Sequence, residues 1–176
     1  MRAILKPASP PDIKMSRHVD EIKLLAKRAH DDEQLREELF LLMQTAQGHE
    51  ASDAAWVLTH LAAEDNKYID KHRDELVALA LRTSEVPIRR LSLTLLERLG
   101  WGIGDVRTDL LDFCLEHMML PEEPYGVKSL CIKLAYRQCR HYPELKEELR
   151  QSLLLMEPSE LGTGVKHTRN KILQLL

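Results

Sequence analysis

The sequence predicts an all-α fold, a right-handed α-solenoid (α-α superhelix) in which about four helix pairs follow one N-terminal helix. The first observation is a repeated pattern of a basic residue, two spacer residues and Leu, which recurs at intervals of 37, 34 and 39 residues. Recurrence at that period is typical of arrays of helix pairs. The four copies begin at Arg36, Arg73, Arg107 and Lys146 and end at Leu39, Leu76, Leu110 and Leu149.

Two further observations favour the same fold class. Beyond residue 15, the prolines and glycines fall at or near the proposed helix boundaries, so that no amphipathic stretch is interrupted. No stretch alternates apolar and polar residues as a half-buried strand does. A hydrophobic content of 44% and a charged content of 30% also argue against a disordered chain.

The elements follow in order along the chain. Residues 1–15 contain three prolines and are expected to form an extended or disordered tail, and residues 16–176 a single helical-repeat domain. The first helix is predicted over 16–30, with Ile22, Ala26 and Ala29 on its apolar face. Four helix pairs are predicted after it, at 31–46 with 49–63, 66–82 with 86–99, 104–118 with 124–140, and 142–156 with 163–176.

The second helices of the last three pairs share an opening in which an aliphatic residue precedes a basic one. The three openings are Ile88-Arg89, Val127-Lys128 and Val165-Lys166, and each is followed by Leu or Ile at helical spacing. Over residues 31–176 this pattern resembles HEAT repeats. Armadillo-like or mixed helical repeats stay open as alternatives, because the spacing is shorter than the usual HEAT period. The resemblance implies that second helices line a concave inner face, but it implies no particular activity.

Charge is divided between the helices of a pair. Three of the first helices are acidic and three of the second helices are basic. The net charges are −4 over 31–46, −3 over 104–118 and −2 over 143–157, against +2 over 86–99, +4 over 124–140 and +3 over 163–176. A basic concave groove would attract an acidic partner or a phosphate backbone. The alternative interpretation is that these cations pair with acidic residues of neighbouring helices.

From this pattern we predict a non-catalytic binding scaffold that engages a protein or peptide through a basic concave surface. The candidate partner-binding residues are Arg89, Arg90, Lys128, Arg137, Lys166 and Arg169. The alternative is a nucleic-acid-binding or DNA-repair protein similar to the HEAT-like alkylpurine glycosylases. That resemblance implies a carboxylate and aromatic rings at the groove, whereas the basic second helices of pairs three and four carry no carboxylate.

No motif of a phosphate-binding loop, nucleophile elbow or zinc-binding helix is present, and we expect no catalytic residue, no cofactor and no metal. Three cysteines at apolar helical positions are interpreted as buried free thiols in a reducing cytoplasm. No apolar run approaches the length that spans a bilayer, so no membrane partner is expected. The apolar C-terminal helix is a candidate homodimer surface, because repeat arrays normally end on a polar face.

Overall fold

The structure is a computed structural model that describes residues 19–176, so the predicted tail at 1–15 lies outside the described residues. Across 19–176 the chain forms ten α-helices, two short 3₁₀ turns (Ala63–Asp65 and Pro158–Glu160) and no strand. This confirms the all-α prediction. The helices are α1 (Val19–Asp31), α2 (Glu33–Thr45), α3 (His49–Thr59), α4 (Asn66–Lys71), α5 (Arg73–Arg82), α6 (Val86–Arg98), α7 (Thr108–His117), α8 (Tyr125–Cys139), α9 (Pro143–Leu155) and α10 (Thr163–Leu175).

Three predicted helices differ from the structure, and one of them, predicted over 49–63, ends at Thr59. The helix predicted over 66–82 is divided at His72, whose backbone leaves helical geometry (φ −100°, ψ 15°) although no Gly or Pro is near. The helix predicted to begin at 104 begins at Thr108 instead. Gly104 has φ +91°, which only glycine adopts readily, and Asp105 accepts a hydrogen bond from the Gly102 amide at 2.8 Å. Asp105 therefore closes a turn in the preceding loop rather than capping the helix.

The repeated Leu of the first-helix pattern is the main packing residue of each copy. All four of these leucines are fully buried: Leu39, Leu76, Leu110 and Leu149. In the first three copies, the basic residue three positions earlier binds nearby groups. Arg36 donates to the carbonyls of Ala29 and His30 at the end of α1. Arg73 donates to the Gly100 carbonyl, and Arg107 pairs with Asp74. The period of the sequence thus reflects one buried anchor per repeat.

The chain divides into two compact units, one ending at Ala63 and one running from Glu64 to Leu176. In the first unit, α1 packs on both α2 and α3, and α2 packs on α3. Asp32 caps α2 by accepting a hydrogen bond from the Leu35 amide at 3.0 Å. The prediction of one domain over 16–176 stays a prediction.

In the second unit, the helices pack as the pairs α5–α6, α7–α8 and α9–α10. Helix α8 also contacts both α6 and α10, so these three second helices form a continuous layer, here called the second-helix layer. The loop between α6 and α7 is anchored by Trp101, which is buried and donates its indole N–H to the Leu96 carbonyl at 3.1 Å. The Arg73 guanidinium lies 4.6 Å from the centre of the Trp101 ring.

Candidate functional site

The aliphatic residues that open the three second helices are all buried, as the pattern predicts. Ile88, Val127 and Val165 expose 3% or less of their surface. Burial of these residues sets the rotation of each helix start, so the next residue occupies an equivalent position in every repeat. Arg89, Lys128 and Lys166 are those residues, yet their surroundings differ.

Arg89 is held by a buried carboxylate. Two oxygens of Glu123, in the loop before α8, accept hydrogen bonds from its guanidinium at 3.2 Å, and the Thr83 carbonyl accepts a third at 2.9 Å. The same carboxylate lies 2.6 Å from Nδ1 of His117, whose ring stacks on Phe113. Glu123 is only 4% exposed, and Arg89 is 16% exposed. Arg89 therefore joins α6 to the end of α7.

Arg137 and Arg169 are also engaged by the protein itself. The Arg137 guanidinium donates to Glu97 of α6 at 2.8 and 3.1 Å and remains one-third exposed. Arg169 is buried, and it donates to the Leu153 carbonyl at 2.8 Å and to Asn170 at 3.0 Å. Arg169 thereby fastens α10 to α9.

The side chains of the remaining three candidate residues have no hydrogen-bond or ion-pair partner among the described residues. Arg90 is exposed and lies across α8, where a Cβ on Gly126 would come within 3.3 Å of its Cδ. Lys166 is exposed. Lys128 is only 6% exposed and lines a pocket at the start of α8. The six predicted residues thus differ in burial and in the groups that they bind, and their role in binding a partner stays a prediction.

Several positive charges of the second-helix layer line a cleft of about 510 Å³ between α8 and α10, here called the basic cleft. Its basic lining residues are Lys133, Arg137, Arg140, His167 and Lys171. One carboxylate, Glu97, also lines it and is the group that Arg137 binds. Ile172, Leu175 and Tyr136 supply apolar surface. Clefts lined by one sign of charge concentrate ligands of the opposite sign.

Four of the five basic residues of the cleft were not among the predicted site residues. Local spacing could have identified them: Lys133, Arg137 and Arg140 follow i, i+4, i+7 on α8, and His167 and Lys171 follow i, i+4 on α10. The spacing shows which side chains share one face of a helix. It does not show that the two faces lie opposite each other.

The three cysteines are free and buried, as predicted. A hydrogen bond with Cys131, together with burial, raises the pKa of the Cys114 thiol well above its usual value, and burial raises the pKa of Cys139 to about 12. Thiols held in the neutral form are poor nucleophiles and metal ligands. Within 19–176, no group of three His, Cys, Asp or Glu side chains is placed to hold a metal ion. None of the helices in the same range is long and apolar enough to cross a bilayer.

Comparison with protein families gives a match to the HEAT repeat domain over residues 12–176. No curated protein and no solved structure matches the chain. The family match covers all ten helices, including the first pair, which lacks the aliphatic–basic opening.

Proposed function

Because the chain belongs to the HEAT repeat family, we propose that it is a non-catalytic scaffold that binds an acidic protein or peptide on its second-helix layer. HEAT repeats generally serve as protein-interaction scaffolds. In HEAT-like stacks the second helices line the concave face, so this layer is the proposed concave surface. The observation that carries the proposal is the basic cleft, in which five basic side chains face a single carboxylate.

The chemistry of the cleft favours an amphipathic acidic segment. Lys133 and Lys171 are exposed and available to carboxylates, while Leu175, which is 48% exposed, offers an apolar contact in the same cleft. Aliphatic anchors flanked by complementary charge are the usual features of a helix-in-groove interface. A volume of about 510 Å³ accommodates a few side chains. We therefore expect Asp or Glu residues that flank one or two Leu or Ile residues.

Binding of nucleic acid is the second candidate function, and one observation favours it. Glu97 and Tyr136 both line the basic cleft, so a carboxylate and an aromatic ring do stand among the cations. The Glu97 carboxylate accepts two hydrogen bonds from Arg137, which neutralises it. A carboxylate paired in this way is not poised as a general base. We therefore rank this function below binding of an acidic peptide.

A fluorescence-anisotropy titration tests the proposal. The probes are a labelled amphipathic peptide rich in Asp, Glu and Leu, a basic peptide of equal length, and labelled duplex and single-stranded DNA and RNA, each at low and moderate salt. We expect the acidic peptide alone to bind. Joint reversal of charge by Lys133→Glu and Lys171→Glu should weaken its binding on the order of tenfold or more.

The matched control is Lys67→Glu, which reverses an exposed charge on α4, outside the second-helix layer, and should leave binding unchanged. Tight binding of DNA or RNA that weakens steeply with salt would instead select the second function, because counterion release produces that slope. Equal binding of both peptides, or equal loss in the control variant, would refute the proposed role of the cleft.

We also infer a cytoplasmic location, because three free thiols persist most readily where the surroundings are reducing. Fractionation of host cells with an antibody to the chain tests this inference. Recovery of the chain from an oxidising compartment would contradict it.

A further inference from the structure

The basic residues that open the second helices of pairs two and three have different surroundings. Arg89 and Lys128 both follow the buried aliphatic residue that opens a second helix. A guanidinium nitrogen of Arg89 forms an ion pair with a carboxylate oxygen of the buried Glu123 at 3.2 Å. Lys128 is more deeply buried than Arg89, yet none of the described residues forms a hydrogen bond or ion pair with its ammonium group. The stem of Lys128 is buried, whereas its ammonium group reaches solvent and is open to an anionic ligand.

The Lys128 side chain lines an open pocket of about 200 Å³, here called the Lys128 pocket. The pocket is formed by the ends of α7 and α9, the start of α8 and the turn before α10. Its walls combine polar surface with apolar surface, the latter including Met118, Met119, Met156 and Leu161. It shares no residue with the basic cleft, so the two sites are independent.

The rim of the pocket carries exposed apolar surface. Tyr125 is 55% exposed, Leu155 is 77% exposed, and Met119 is 39% exposed. Exposed apolar side chains that adjoin a concave site are typical of interaction surfaces. These three side chains form the mouth of the pocket and are open to solvent, so a ligand that extends out of the pocket, such as a polypeptide, can cover them, whereas a small free acid held inside leaves them exposed.

Two carboxylates complete the rim. Glu157 accepts a hydrogen bond from the Ser159 hydroxyl at 3.1 Å, and Glu160 is exposed. These negative charges disfavour a ligand that is anionic throughout. They favour one whose carboxylate is preceded by positive charge.

We propose that the Lys128 pocket binds the C-terminal residue of a peptide or protein. The terminal carboxylate pairs with the ammonium group of Lys128, as Glu123 pairs with Arg89 in the preceding repeat. An aliphatic terminal side chain lies among the methionines and Leu161. A pocket of about 200 Å³ is below the range of sites for drug-sized ligands and holds one such residue. A basic residue just before the terminus meets Glu157 and Glu160.

The methionine methyl groups provide the test. The chain has six methionines, of which three line the pocket, and buried Met43 lies in the first unit as an internal reference. The probe is an acetylated hexapeptide of Gly and Arg that ends in Leu with a free carboxylate. Its carboxamide counterpart and 4-methylpentanoate are the comparisons. Each is titrated into methyl-labelled protein and followed by NMR.

We expect the free-carboxylate peptide to shift the Met118, Met119 and Met156 resonances and to leave Met43 in place. Because a hydrogen bond to a charged group is lost, the carboxamide should bind on the order of tenfold more weakly. Lys128→Met should remove the difference between the two peptides, and Lys67→Met, at an exposed position on α4 outside both proposed sites, should preserve it.

Three results would overturn the proposal. The first is equal binding of the carboxylate and carboxamide peptides, a comparison that needs no variant and holds even if Lys128→Met does not fold. The second is the absence of a shift at the three pocket methionines at millimolar peptide. The third is binding of 4-methylpentanoate as tight as that of the hexapeptide, which would make a small free acid the occupant.

Discussion

Removal of the Glu123 carboxylate is predicted to destabilise the second unit strongly, because this one group holds two helices together. The carboxylate is 4% exposed, and it binds Arg89 of α6 at 3.2 Å and His117 of α7 at 2.6 Å. Glu123→Ala leaves the Arg89 guanidinium, itself only 16% exposed, beside an empty site. Loss of one partner of a buried pair is strongly unfavourable, because the remaining charge is desolvated without compensation.

The magnitude follows from the geometry. Breaking a buried ion pair typically costs about 3–5 kcal/mol. Arg89 keeps its hydrogen bond to the Thr83 carbonyl and has some access to water, which places the estimate near the lower end, at about 3 kcal/mol. Glu123→Gln keeps an acceptor of the same shape and should cost less, about 1–2 kcal/mol.

Urea denaturation followed by circular dichroism measures the free energy of unfolding by linear extrapolation. Glu122→Ala is the matched control, because Glu122 is the exposed neighbour in the same loop, and it should change stability by no more than about 0.5 kcal/mol. A double-mutant cycle with Arg89→Met should show a coupling energy of about 1–3 kcal/mol. A loss below about 1 kcal/mol for Glu123→Ala, or additivity in the cycle, would refute the reasoning.

Four further predictions concern the packing core, the thiols and the tryptophans. Leu110→Ala should cost about 2–5 kcal/mol in urea denaturation, whereas Leu154→Ala, at an exposed position, should stay within about 0.5 kcal/mol; similar losses would contradict the repeat-anchor interpretation. The three buried thiols should react with Ellman's reagent only after unfolding, and fast labelling of the native chain would contradict their burial. The pKa of Cys139 is raised to about 12 in the folded state, so its contribution to the free energy of unfolding should be fully present below about pH 8.5 and be lost as the pH rises towards 12. A free energy of unfolding that does not change between these two pH values would contradict the shift. In Trp56→Phe, the emission of buried Trp101 should resist iodide quenching, whereas in Trp101→Phe the half-buried Trp56 should be quenched more strongly; equal quenching would refute the assigned burial.

Much of the fold was predictable because its signals are local. A Leu that recurs once per repeat marks the buried anchor of each first helix, and Leu110 is fully buried as this requires. An aliphatic residue at the start of a second helix marks a second anchor, as Val127 confirms. The break at His72 was not predictable, because no residue there removes a hydrogen-bond donor or requires an unusual φ.

The candidate site was predicted only in part. The basic character of the second helices is visible in the composition, and Arg137 does line the basic cleft. Lys133 and Lys171 were missed as site residues, although their helical spacing from Arg137 and His167 was readable. The homodimer through the C-terminal helix stays a prediction, to be measured by sedimentation.

The sequence by itself determined the helices, their pairing and the register of their buried anchors, because hydrophobic periodicity and helix termination act over a few residues. Only the tertiary structure decided which cations are paired. Arg89 and Lys128 occupy the same position in successive repeats, yet the partner of Arg89 lies 34 residues away in another loop. Ion pairing depends on distance in space, which local sequence does not encode. The same pattern of residues therefore produces a satisfied ion pair in one repeat and, in the next, a lysine whose ammonium group has no partner among the described residues.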